Sequence, residues 1–152
     1  MLVATPPPTT DYMDSLGIPL AHRSLQTLWR RTTRLHEKGV VAQLGNPDQR
    51  VINDAGEIEL RYEAIVVRLH SELGAVEITS RPDSVRIEDA KVSRHDLPQW
   101  LHQMDADACD SYGFVISEKY GVAVDTDTHN DGWISVFVKG RWGELIQDAS
   151  IG

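Results

Sequence analysis

The stretch from Ser111 to Ile146 narrows the fold more than any other part of this 152-residue chain. Val122 and Val124 alternate with Ala123 and Asp125, and Ile134, Val136 and Val138 alternate with Ser135, Phe137 and Lys139. A period of two in β-branched and aromatic residues marks strands with two unlike faces. His129-Asn130-Asp131-Gly132 separates the two runs, and Asn, Asp and Gly tolerate the positive φ of a tight reversal. Gly121 and Gly140 mark further joins. The stretch reads as four short strands in a meander.

Upstream, residues 1–19 contain Pro6-Pro7-Pro8, which suits neither a helix interior nor a sheet interior, and they read as an arm. The domain proper is expected over 20–152. Its first element should be a helix from about Leu20 to Lys38, with Pro19 near the first helical position and Gly39 as a left-handed cap. Leu25, Leu28, Trp29, Thr32, Leu35 and His36 share one face of that helix. Arg23, Thr27, Arg30, Arg31, Arg34 and Lys38 form a basic ridge on the other.

Val40 to Asn53 fits two small strands or an irregular crossing. Glu57 to Leu73 fits two patterns. As a strand it alternates through Ile58, Leu60, Tyr62, Ala64 and Val66; as a helix it aligns Ile58, Tyr62, Ile65, Val66, Leu69 and Leu73. The helical pattern stays in phase longer, so a helix is expected. Ala75–Thr79 and Ser84–Glu88 read as a hairpin across Arg81-Pro82-Asp83, and Asp96 and Pro98 open a short helix through about Asp105. Helices early and strands late predict a single α+β domain. Its N-terminal amphipathic helices would pack on a mainly antiparallel sheet that ends in the meander.

Composition places the chain among globular proteins, with 41% hydrophobic and 25% charged residues. No apolar run approaches the ~20 residues of a membrane helix, and no basic-then-apolar leader opens the sequence, so no membrane partner is expected. The lone Cys109 allows neither an internal disulfide nor a cysteine-based zinc site, which favours a cytoplasmic setting. The net charge is −8. It is uneven: residues 21–39 hold five Lys/Arg against one Glu, a balance of +4, and residues 100–152 hold three against nine Asp/Glu, a balance of −6. That excess of acid disfavours direct binding of nucleic acid, which normally needs a basic footprint.

Asp125, Asp127, His129 and Asp131 form the densest polar cluster, with residue types that suit a divalent cation. From Asp127 the spacing imitates the start of a calcium-binding loop, but the position for its closing Glu is Val138. A solvated hairpin tip accounts for the same letters, so no metal is expected. Cys109 beside Asp110 lacks the surroundings of a nucleophile loop, and His95 and His102 are too far apart for paired helical ligands. Phosphate-cradling glycine motifs are absent, and no cofactor is expected. Trp133 and Trp142 are candidate aromatic anchors, although tryptophans at such places also cover sheet ends.

Three function classes follow. The favoured expectation is a small acidic protein-binding module, of the inhibitor, immunity or mobile-element anti-defence kind. It would bind a basic protein surface through Asp125, Asp127 and Asp131, with Trp133 and Trp142 as anchors. A metal-dependent enzyme built on the Asp125-Asp127-His129-Asp131 cluster is the alternative, and no catalytic residue is assigned. A nucleic-acid module using Arg23, Arg30, Arg31, Arg34 and Lys38 is the second alternative. A homodimer is compatible with all three.

Overall fold

The structure is a computed structural model that describes residues 24–126 and 132–143. The expected N-terminal arm lies outside the described residues. The fold is α+β, with a mostly antiparallel arrangement of strands that ends in a C-terminal meander. The chain divides into two compact units at Ile78 and Thr79.

In the first unit, Ser24 caps α1 (Leu25–Thr32) by accepting a hydrogen bond from the Thr27 amide at 3.1 Å. Of the expected stripe, Leu25, Leu28 and Thr32 are buried along one side, Trp29 and Leu35 are half-buried, and His36 is exposed. The expected single helix stops six residues early, however. Thr32 turns its hydroxyl back onto the Leu28 carbonyl, and Arg34 takes a left-handed φ of 65°. The Arg34 amide then donates to the Ala75 carbonyl at 2.9 Å, and the Ala75 amide donates to Leu35 at 2.8 Å. Main-chain pairing with a strand thus replaces the next helical turn. A second helix, α2 (Glu37–Leu44), follows, with Gly39 inside it and Gly45 at its end.

The strands of this unit are β1 (Gln49–Ile52), β2 (Ile58–Arg61), β3 (Ile65–His70) and β4 (Gly74–Ser80), neighbours in that order. The expected helix over Glu57–Leu73 is overturned: this segment forms β2 and β3. Ile65, Val67 and Leu69 are buried while Val66, Arg68 and His70 are half-buried, a true period of two. Glu59 lies directly across from Arg68. Arg68 bonds Glu59 at 3.1 Å and also pairs with Glu77 in β4. Arg61 adds a bond to Glu59 at 2.8 Å, and the Asn53 amide group reaches both Glu57 and Glu59. Paired carboxylates can occupy strand positions where an apolar residue would otherwise sit.

The second unit begins within β4. The expected hairpin between residues 75–79 and 84–88 does not form. Instead β5 (Ser84–Ile87) pairs with β6 (Ala90–Ser93) as a separate two-stranded sheet. Helix α3 (Leu97–Met104) spans the expected residues and buries Leu97 and Leu101 against β6 and β8. Asp96 precedes it without capping it through its side chain. The meander is β7 (Cys109–Ser111), β8 (Phe114–Ser117), β9 (Val122–Asp125) and β10 (Ile134–Phe137), in the order β7-β8-β9-β10. Ile116, Ala123 and Phe137 form the core of one face, and Trp142 closes it with ring contacts to Phe114 and Phe137. On the other face Ser117 donates a buried hydrogen bond of 2.7 Å to Asp105, at the end of α3.

Two outcomes test the first unit. A Cβ on Gly74, whose φ is +78°, would lie 2.5 Å from the Arg34 carbonyl oxygen, whereas Gly56 at φ +81° faces open space. Gly56→Ala should cost about 1 kcal/mol, the penalty of the left-handed backbone alone. Gly74→Ala should cost about 3 kcal/mol or more by denaturant unfolding, because the backbone must also move. The Glu59 carboxyl is pushed up by its burial, but bonds from Arg61, Asn53 and Arg68 outweigh this and hold it below the ordinary range. A depressed folded pKa gives stability that is complete above the ordinary Glu value and lost as pH falls through the folded value. Tm should fall on that acid limb, and Glu59→Gln should lower Tm at neutral pH while flattening the limb.

Candidate functional site

The tip of the β7–β8 hairpin carries Tyr112, the most exposed of the large hydrophobic side chains among the described residues. Ser111 and Phe114 face each other, leaving only Tyr112-Gly113 for the turn. Both have positive φ, 50° and 84°, the signature of a mirror-image type I turn whose twist suits paired strands. Asn, Asp or Gly normally fills the first of these positions, and a bulky residue there is an outlier that costs about 1–2 kcal/mol. Tyr112 accepts this conformation and is 75% exposed.

Thr126, the residue after β9, is fastened to the same tip. Its amide and its hydroxyl both donate to the Gly113 carbonyl, each at 2.8 Å. Asp125 pairs in register with Phe114, and its amide donates to the Trp133 carbonyl at 2.8 Å. The chain that leads to the acidic residues after Thr126 therefore starts beside Tyr112. Asp127, His129 and Asp131 lie outside the described residues, while Asp125 is half-buried and already engaged with a partner. Asp110, on β7, is exposed and meets His102 of α3 at 2.9 Å.

Trp133 and Trp142 are half-buried, and Trp142 packs edge-on to Phe114 with centroids 5.1 Å apart. Its visible role is to cover the sheet. The basic residues do not make one helical ridge: Arg30 and Arg31 belong to α1, Arg34 to the turn and Lys38 to α2, with Arg23 outside the described residues. Among the described residues no group of three His, Cys, Asp or Glu side chains is placed to hold a metal ion.

Cys109 is poorly prepared for nucleophilic chemistry. Burial pushes its thiol pKa up, and the negative charges of Asp110 and Asp105 push it further. The thiolate, which is the reactive form, is therefore scarcer than for an ordinary cysteine. Tyr112 does not stand out in the sequence because Tyr-Gly is not a common turn pair. The two-residue gap between Cys109–Ser111 and Phe114–Ser117 was the signal that could have found it.

Alkylation by iodoacetamide checks this electrostatic picture. The pH–rate profile of Cys109 should lie above that of a small free thiol. Asp110→Asn, which keeps a hydrogen-bond acceptor for His102, should speed the reaction at neutral pH by removing one repelling charge. An unchanged rate would mean that access alone controls the thiol.

Comparison with protein-family models finds no matching family, and comparison with curated proteins and with solved structures finds no match.

Proposed function

We propose that this chain is a protein-binding module whose working surface is the Tyr112 turn, with the acidic residues that follow Thr126 in sequence. The observation that carries this reading is Tyr112 itself, a bulky aromatic held exposed in a backbone conformation that disfavours it. Strain of this kind persists where the surroundings over-determine it, and it clusters at binding and catalytic positions. Tyrosine is enriched at interface hot spots because it buries much area with little loss of rotamer freedom. Asp110 and Asp125 flank the turn, and Asp127 and Asp131 follow in sequence. The partner that suits such a surface has lysine or arginine side chains, which carboxylates attract and the tyrosine face can receive. An inhibitor that occupies a basic site on another protein fits this chemistry.

The test starts with a partner captured from the native host and then purified. Tyr112→Asn places a turn-compatible residue at the strained position, so it should keep or raise Tm while weakening binding. Charge reversal of Asp127 and Asp131 should slow association more than it speeds dissociation. Asp125 is left intact because its side chain is half-buried and engaged. Binding should also weaken as salt rises, since screening acts over about 8 Å at physiological ionic strength. Binding that ignores salt, Tyr112→Asn and the reversal together would refute the reading.

A further inference from the structure

Strand β1 ends the strand order of the first unit, and its hydrogen bonds point alternately inward and outward. The Asn53 amide donates to the Glu57 carbonyl at 2.9 Å, which sets the phase. In the register Ile52↔Ile58, Val51↔Glu59, Arg50↔Leu60, Val51 then bonds β2, while Arg50 and Ile52 turn their N–H and C=O groups to the outer edge. Among the described residues no backbone group meets these four. Ile52 is 56% exposed, a large apolar side chain on an open edge.

Natural edges are commonly blunted by charge, proline or a covering segment. Here the charge on β1 is cancelled within the chain: Glu37 of α2 grips the Arg50 guanidinium with two bonds, at 2.7 and 3.1 Å. Gln49, Val51 and Ile52 carry no charge. A locally neutral edge offers nothing to the basic partner favoured at the Tyr112 turn. A second copy of this chain, despite its net −8, meets no like-charge repulsion along these four residues.

We propose that β1 is a self-pairing edge, through which two copies of the chain join antiparallel about a two-fold axis at Val51. In that register Arg50 of each copy lies across from Ile52 of the other. The outward groups of both residues then close four main-chain hydrogen bonds. Val51 faces its own equivalent as a non-hydrogen-bonded pair, with Cα atoms about 4.5 Å apart. The Ile52 side chains, now exposed, come to lie against the partner copy. Pairing across four residues makes a weak dimer, so it forms as concentration rises. This inference is independent of the reading of the Tyr112 turn, which lies in the other unit.

Sedimentation velocity of the full chain, from micromolar to near-millimolar concentration, should show a reversible monomer–dimer equilibrium. Ile52→Pro removes an outward N–H and leaves the β1–β2 ladder intact. It should weaken association about tenfold or more, since two of the four bonds are lost. Ile52→Lys should weaken it similarly, and serves if the proline variant does not fold. In a Cys109→Ser background, Val51→Cys should give a disulfide-linked dimer on mild oxidation and Gln49→Cys should not. A chain that stays monomeric throughout overturns the proposal. So does a dimer that survives both Ile52 variants, or one that crosslinks through Gln49→Cys rather than Val51→Cys.

Discussion

Arg68 is the residue on which the first unit turns. One guanidinium lies between Glu59 on β2 and Glu77 on β4, so a single side chain ties three adjacent strands across their polar face. Both carboxylates are buried. Removing one partner of such an arrangement is far more costly than the pair is stabilising, because it strands a charge out of water. The arrangement therefore constrains register more than it adds stability. A one-residue slip of β2 against β3 would turn Glu59 towards Leu60's side of the sheet, where Val67 and Leu69 pack.

The sequence misled over Glu57–Leu73 because that segment is two strands, not one. Ile58, Leu60 and Tyr62 alternate with Glu59 and Arg61, and Ile65, Val67 and Leu69 alternate with Val66 and Arg68. The phase shifts by one residue at the turn between β2 and β3, so a single strand read across both slips. Ile58, Tyr62, Ile65 and Leu69 then align equally well at helical spacing. The long expected helix over 20–38 failed for a different reason. Of its stripe, Leu25, Leu28 and Thr32 are buried while His36 is exposed, and nothing local signals that Arg34 and Leu35 will exchange hydrogen bonds with Ala75, about forty residues further along the chain. Gly74 is the only trace of that contact in sequence, since a side chain there would strike the Arg34 carbonyl. By contrast, α3 and the strands β8, β9 and β10 depend on near neighbours and were legible. Strand β7, however, starts before the expected boundary at Ser111, and no strand begins within 141–143, after Gly140.

The candidate surface was half visible. The acidic residues of the last third stood out by composition, and Asp125 is the strand residue its alternation predicts, but it is paired with Phe114 and half-buried where a solvated charge was expected. Tyr112 did not stand out, because its conformation contradicts local preference. A residue that breaks a local rule is visible only once the backbone is known, and such breaks gather where function competes with stability.

The outermost strands of the two units, β1 in the first and β7 in the second, are built on opposite principles. In β7 a two-residue turn makes Ser111 and Phe114 the bonded pair, so only Asp110 turns its backbone outward. That one residue carries an exposed carboxylate, and His102 of α3 stands beside it. A short edge with a charge on its single outward residue resists strand addition. Strand β1 has two outward residues, an apolar side chain on one and an internally neutralised charge on the other. The charged β7 edge thus resists the addition of another strand. The neutral edge has main-chain groups to offer, and main-chain groups are the same in every copy of the protein.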